Sequence, residues 1–249
     1  MMIRILSISF LLLLSNLLSA QNPDSGNDRA QKLLAKTIKA HGGKKYNKAQ
    51  YQFTFRGNIY RFKNSKNGYY YTVRKSKGGQ QIYDQLINGE FSRSINGKDV
   101  DLSEKEKQGG SGGLNSVIYF ATLPHKLSDP AVKLTYGGET SIKGIKYHVL
   151  EVRFGQEGGG VDFDDEYLYW IRKDNNQIDY FAYNYQVGGG GVRFRSAHNK
   201  RVVKGILFQD YVNYKAQVGT ALFDLPALFE KNQLKELSKI DTEKITVIK

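Results

Sequence analysis

The sequence predicts a mainly β fold of the α+β class: a curved antiparallel sheet or unclosed β-barrel of about ten strands wrapped around a few helices. Three observations predict it. Short runs rich in Tyr and Phe recur along the chain, Asn-Gly and Gly-Gly pairs separate them, and helical spacing is confined to a few short stretches. The composition agrees, with 17 Tyr and 13 Phe against only 4 Pro, and 26 Gly to supply turns. Cysteine is absent, which excludes a disulfide scaffold, a thiol enzyme and a zinc–thiolate protein.

At the N-terminus, Arg4 precedes an apolar run, Ile5 to Leu14, that resumes to Leu18 and ends in Ser19-Ala20 ahead of Gln21-Asn22-Pro23. This is the pattern of a cleaved secretory signal peptide over residues 1–20. A transmembrane anchor is the competing reading, but the run falls short of the ~20 apolar residues a bilayer requires and is broken by Ser15 and Asn16. No Cys follows to carry a lipid, so residues 21–249 are expected to form one domain, periplasmic or secreted.

One amphipathic helix opens that domain. Ser25 or Asp28 can cap it, Ala30, Leu34 and Ile38 recur at helical spacing with Leu33 beside them, and Gly42-Gly43 stops it. Strands follow. Tyr51, Phe53 and Phe55 alternate with polar residues, and the parity switches at Gly57, which predicts a bulge or bend before Tyr60 and Phe62. Tyr69 to Arg74, Gln81 to Ile87 and Glu90 to Ile95 form a meander, with Asn88-Gly89 and Asn96-Gly97 as hairpin turns. Leu102 to Gly113, charged and then Gly/Ser-rich, predicts a mobile loop, and Leu114 to Leu123 one or two short helices. Strands resume at Val132 to Tyr136, Tyr147 to Phe154, Tyr167 to Arg172, Ile178 to Tyr185, Val192 to His198 and Gly205 to Tyr214. In the tail, Leu228, Phe229, Leu234 and Leu237 predict a short helix within Pro226 to Ile240, and Ile245 to Ile248 an extended segment.

Several strands are apolar on both faces. Leu150, Val152 and Phe154 oppose Tyr147 and Val149; Tyr167, Tyr169 and Ile171 oppose Leu168 and Trp170. An antiparallel sheet with one face in water would alternate apolar with polar, so helices, a second sheet or a bound apolar molecule must cover the other face. A filled sandwich or barrel satisfies this as well as a cleft does.

The chain carries 37 Lys and Arg against 24 Asp and Glu, a net charge of +13 that becomes +12 when the signal removes Arg4. The lysines are scattered among acids and form no helix-borne stripe, so no nucleic-acid partner is expected. A solvated basic surface is the plainer reading; transient contact with an anionic membrane or an outer-membrane acceptor is the functional one.

No catalytic signature stands out. Asp162, Asp164, Asp165 and Glu166 beside Gly158-Gly159-Gly160 could serve a calcium ion or a glycosidase pair, yet the spacing misses the twelve-residue calcium loop, and a solvated hairpin explains it too. His41, His125, His148 and His198 lack a metal-binding spacing, and His41 is placed to meet the last carbonyls of the first helix. Gly188 to Gly191 joins two strands without the Lys-Ser/Thr of a phosphate loop. Arg193 and Arg195 share one strand face, with Val192 and Phe194 on the other, and could hold an anionic headgroup or carboxylate or face solvent.

The order of elements, an export signal, a helix ending Ala40-His41-Gly42-Gly43, strands, a helical interruption, and strands carrying Ile178-Asp179-Tyr180, Arg193-Phe194-Arg195 and Asp210-Tyr211-Val212-Asn213-Tyr214, resembles the LolA-like outer-membrane lipoprotein-sorting proteins, and more closely a family of secreted Bacteroidetes proteins. The resemblance implies an unclosed barrel with an apolar concave face, a helical lid, and acyl chains bound between. It also implies a lid-locking arginine, for which Arg56 is the nearest candidate. The expected function is a non-enzymatic carrier or binding protein for a lipid or acylated ligand, with no cofactor and no metal. Phe53, Phe55, Tyr69, Tyr71, Leu150, Val152, Trp170 and Phe181 are expected to line its cleft, with Arg193 and Arg195 at the polar end. The alternatives are a secreted hydrolase using the acidic loop 162–166 and an envelope interaction module with a filled core.

Overall fold

The computed structural model describes residues 23–155 and 165–248, so the expected signal peptide lies outside the described residues. Helix α1 (Pro23–Ala40) begins ahead of both expected caps, and Asp28 pairs instead with Lys32 one turn on, at 3.3 Å. Ala30, Leu33 and Leu34 are buried as their spacing predicts. The turn after the helix runs through Gly42, whose φ of 127° and closeness to strand backbone disfavour a side chain: a Cβ would stand 3.1 Å from the Gly205 carbonyl oxygen.

Two seven-stranded antiparallel sheets follow. The first contains β1 (Gln50–Phe55), β2 (Asn58–Ser65), β3 (Gly68–Lys77), β4 (Gln80–Ile87), β5 (Glu90–Ile95) and β6 (Lys98–Asp99) in meander order, with β14 (Glu243–Val247) beside β1. The second runs β7 (Val132–Ile142), β8 (Ile145–Phe154), β9 (Tyr167–Arg172), β10 (Ile178–Tyr185), β11 (Gly191–Val203), β12 (Ile206–Ala216) and β13 (Lys235–Ile240). Each sheet keeps two ends, so the barrel is unclosed.

Fourteen strands stand among the described residues where about ten were expected. The parity switch at Gly57 is a two-residue hairpin turn, not a bulge: Arg56 and Gly57 have φ of 49° and 74°, and Phe53 pairs with Tyr60 across it. In the tail, helix α3 stops at Leu225–Glu230, and Lys235–Ile240 pairs with β12 as a strand. Six edge residues gain a hydrogen-bonded ladder there, which outweighs weak helical spacing.

The expected mobile loop at 102–113 is the first half of an 18-residue helix, α2 (Glu104–Ala121). Two local causes were hidden by its glycines. Ser103 and Glu106 form a reciprocal capping box, with Ser103 N–H donating to Glu106 Oε2 at 2.9 Å. Gly110 lies under the Phe91 ring of β5, where a Cβ would stand 2.3 Å from Cζ.

The core has three parts. Between the sheets, α1, the end of α2 and the turn after it pack Leu34, Phe120 and Leu123 on Leu150, Tyr169 and Phe181 of the second sheet. The other side of α2 sets Leu114 and Ile118 on Phe53, Phe62, Tyr71 and Leu86 of the first. On the outer face of the second sheet, Leu168, Trp170 and Phe194 are covered by Leu222, Leu225, Phe229 and Leu234. The two-sided strands therefore have helices on one face and the C-terminal segment on the other.

Candidate functional site

Helix α2 does not fill the space between the sheets. A cavity of about 240 Å³ remains beside its C-terminal half, walled by Phe55 at the end of β1, Val117, Phe120 and Ala121 of α2, Tyr183 of β10 and Ile240 of β13. Its polar lining is unusual in charge. Arg56 and Arg195 contribute to it, and no carboxylate among the described residues does.

Arg195 is the central group. It projects from β11 on the face that also carries Phe181 and Tyr183, opposite Asn213 of β12. Only 7% of it is exposed. Its guanidinium lies 4.2 Å from the centroid of Phe120 and 5.1 Å from that of Phe181, and one Nη donates to Tyr183 Oη at 2.9 Å. Its Nε has no hydrogen-bond partner, and no carboxylate among the described residues pairs with it. Stacking of this kind returns about 0.5–2 kcal/mol, whereas desolvating an ion costs several. Among the described residues the charge is held by packing, with no carboxylate paired to it. Gln209 (6% exposed) donates through Nε2 to Ile178 O and Tyr211 Oη, leaving its buried Oε1 unpartnered at the cavity wall.

Of the residues expected to line a cleft, Phe55 and Arg195 border this cavity and Phe181 lies stacked beneath Phe120 at 5.6 Å. Phe53 and Tyr71 are in the core under α2, Leu150 and Val152 in the core with α1. Tyr69, stacked on Tyr71 at 4.5 Å, borders a separate groove near Lys126. Arg193 turns to the ring and hydroxyl of Tyr185. Trp170 faces away: it pairs with Val149 and Tyr180 and packs on Phe194, because neighbours along a strand alternate faces and its partner across β8 is one residue off Leu150. The sequence reading missed Phe120, Tyr183 and Gln209. A glutamine directly after the apolar run Ile206 to Phe208 was the available signal for the last.

His41 does not meet the carbonyls of its helix. Its Nε2 accepts from the Ile178 backbone N–H at 3.2 Å, and burial, helped by the charge of Lys200, pushes its pKa down to about 3. His125 stacks on Tyr46 at 4.6 Å, and His148 contacts Tyr136 Oη at 3.0 Å. His198, Asp210 and Asp241 bring ligand atoms within 4.8 Å of one another, a grouping that no sequence spacing showed. Yet Asp210 is already committed: Arg201 holds both its oxygens at 3.0 Å, and Thr242 N–H and Oγ1 and Asn199 Nδ2 donate to it as well. That arrangement is an ion-pair knot joining β11, β12 and the link to β14.

In the acidic loop, Asp162 and Asp164 lie outside the described residues. Asp165 is buried, and Glu166 pairs with Arg153 and accepts from Asn184 Nδ2 at 3.3 Å. The glycines at 188–191 join β10 to β11, as the sequence implied. No helix among the described residues is long and apolar enough to cross a membrane.

The sequence pattern of a family of unknown function, DUF6503, matches residues 8–242. The chain belongs to this family. No curated protein matches it. Among solved structures, the LolA superfamily protein of Nitrosomonas europaea aligns at a TM-score of 0.54 with 12% identity, over 88% of this chain and 94% of that one. A DUF1329 family protein from Desulfovibrio piger aligns at 0.44 with 12% identity over 89% and 93%. The Mycobacterium tuberculosis lipoprotein LppX aligns at 0.29 with 12% identity over 66% and 91%. This DUF6503 member therefore has a LolA-like fold.

Proposed function

We propose that the protein is a periplasmic, non-enzymatic carrier or binding protein for a lipid or acylated ligand of the cell envelope. The observation that carries this reading is the half-open cavity beside α2, between two sheets of LolA-like fold and walled by Phe55, Val117, Phe120 and Ile240. Acyl chains enter such a space because each CH₂ leaving water contributes about 0.8 kcal/mol, so roughly eight methylenes supply about 6 kcal/mol before the cost of immobilisation. A cargo with several chains requires α2 to move outward, and α2 carries four glycines between residues 109 and 113. The open groove of about 950 Å³ that carries Lys44, Lys45, Lys48 and Lys204 is the surface on which an anionic membrane or acceptor would dock.

Native mass spectrometry of the protein purified from its own envelope, with organic extraction of anything bound, tests the reading. A stoichiometric lipid or acylated peptide is expected. An empty protein that also fails to bind a fluorescent fatty acid would point instead to an interaction module.

A further inference from the structure

The cavity is not symmetric in chemistry, and its polar end narrows the ligand. Four observations converge there. Arg195 is more than nine-tenths buried and has no anionic partner among the described residues. Its Nε is unpartnered, while its Nη is fixed on Tyr183 and its plane is pressed on Phe120, so the guanidinium cannot swing out to solvent without breaking both contacts. A second guanidinium, Arg56, borders the same space from the β1–β2 turn, and no described carboxylate does. Asn213, opposite Arg195 on β12, makes no side-chain hydrogen bond among the described residues, its buried Oδ1 being unpartnered.

One buried positive charge, Arg195, a second at the exposed β1–β2 turn, Arg56, and an apolar wall make a site for one negative charge joined to a hydrocarbon. The volume sets the number of chains. About 240 Å³ exceeds the ~150 Å³ cavity that benzene fills, yet lies under the ~300–1,000 Å³ of sites for drug-sized ligands.

We propose that this cavity binds a single-chain anionic amphiphile, its head oxygens ion-paired with Arg195 and its chain against Phe55, Val117 and Phe120. The proposal rests on the acyl-binding reading above and names the ligand class for the same cavity. The head chemistry is shared by a free fatty acid and a lysophospholipid; a hydroxyl or amide hydrogen next to the anion would meet Gln209 Oε1.

Calorimetric titration of the full mature chain with dodecanoate, 12-carbon lysophosphatidylglycerol and methyl dodecanoate tests it. At least one anionic probe is expected to bind ten-fold or more tightly than the neutral ester, and whichever anion binds more tightly identifies the source. Arg195→Met is expected to remove that preference by weakening the anion while leaving the ester unchanged. Equal binding of ester and anions by the wild-type protein overturns the proposal without any variant having to fold, as does an undiminished preference in folded Arg195→Met. In either case the acyl-binding reading survives. Failure of all three probes to bind overturns both.

Discussion

The imidazole of His41, at the end of α1, accepts a hydrogen bond from the backbone N–H of Ile178, 137 residues further along the chain. This bond ties the first helix to β10 and fixes the tautomer, with Nε2 bare and the proton on Nδ1. Protonating Nε2 would destroy the acceptor and bury a charge.

A pH dependence follows. Burial and then Lys200 lower the His41 pKa to about 3, against about 6.5 in the unfolded chain. Between those values the unfolded chain holds the extra proton, so the contribution of neutral His41 is complete above about pH 6.5 and declines as pH falls toward 3. At about 1.4 kcal/mol per unit, going from pH 7 to pH 5 removes roughly 2 kcal/mol. His41→Gln keeps an acceptor and cannot titrate. Urea unfolding at both pH values should show the loss in the wild-type protein and a smaller one in the variant; identical losses would mean that His41 is not the source.

The glycines of α2 are expected to divide by position. Gly110→Val drives methyls into the Phe91 ring and should destabilise by about 1–3 kcal/mol. At Gly109 a Cβ would meet open space, with nothing within 4 Å, so Gly109→Ala should stabilise by up to about 1 kcal/mol. Denaturant midpoints decide this, and matching effects at the two positions would remove the Phe91 contact as the reason for glycine.

That helix also shows what a sequence can carry. Strand alternation and Asn-Gly turns are local signals, and they place most of both sheets. The two-sided strands correctly demand cover on both faces of β8 and β9. What lies beyond reach depends on distant partners. The glycines of α2 read as a loop because Phe91, which makes Gly110 fit, is 19 residues earlier in sequence. Trp170 reads as a cavity residue because a one-residue offset between β8 and β9 inverts parity, and only the ladder fixes that offset. Arg195 is visible through its alternation with Phe194, but that no carboxylate among the described residues pairs with it could be read only from the fold.

The knot around Asp210 should be a stability determinant. Burial alone would raise the Asp210 pKa, but hydrogen bonds from Thr242, Arg201 and Asn199 outweigh it and hold the pKa below the usual value. The resulting stabilisation is present above about pH 4, the unfolded pKa, and fades as pH falls through the lower folded one. Asp210→Asn leaves Arg201 facing an uncharged amide and should cost about 3 kcal/mol at pH 7, with the cost shrinking in acid. A pH-independent cost in urea unfolding would contradict the ion-pair account.

Trp170 and Phe120 offer the sharpest separation of packing from binding. Both are aromatic, and they lie on opposite faces of the second sheet: Trp170 against Phe194 under the C-terminal segment, Phe120 on Phe181 at the cavity. Removing either ring from a packed site costs about 3–5 kcal/mol when fully buried. Trp170 is fully buried, so Trp170→Ala should carry that cost while the folded protein keeps its affinity for dodecanoate, since no cavity wall has changed. Phe120 is partly exposed, so Phe120→Ala should destabilise less and yet weaken binding by ten-fold or more, because it removes a wall of the cavity and the surface on which Arg195 rests. Titration at a temperature where both variants are folded gives the answer. If the tryptophan variant lost affinity and the phenylalanine variant kept it, ligand would be on the outer face of the second sheet, where Phe194, Tyr214 and Phe229 meet.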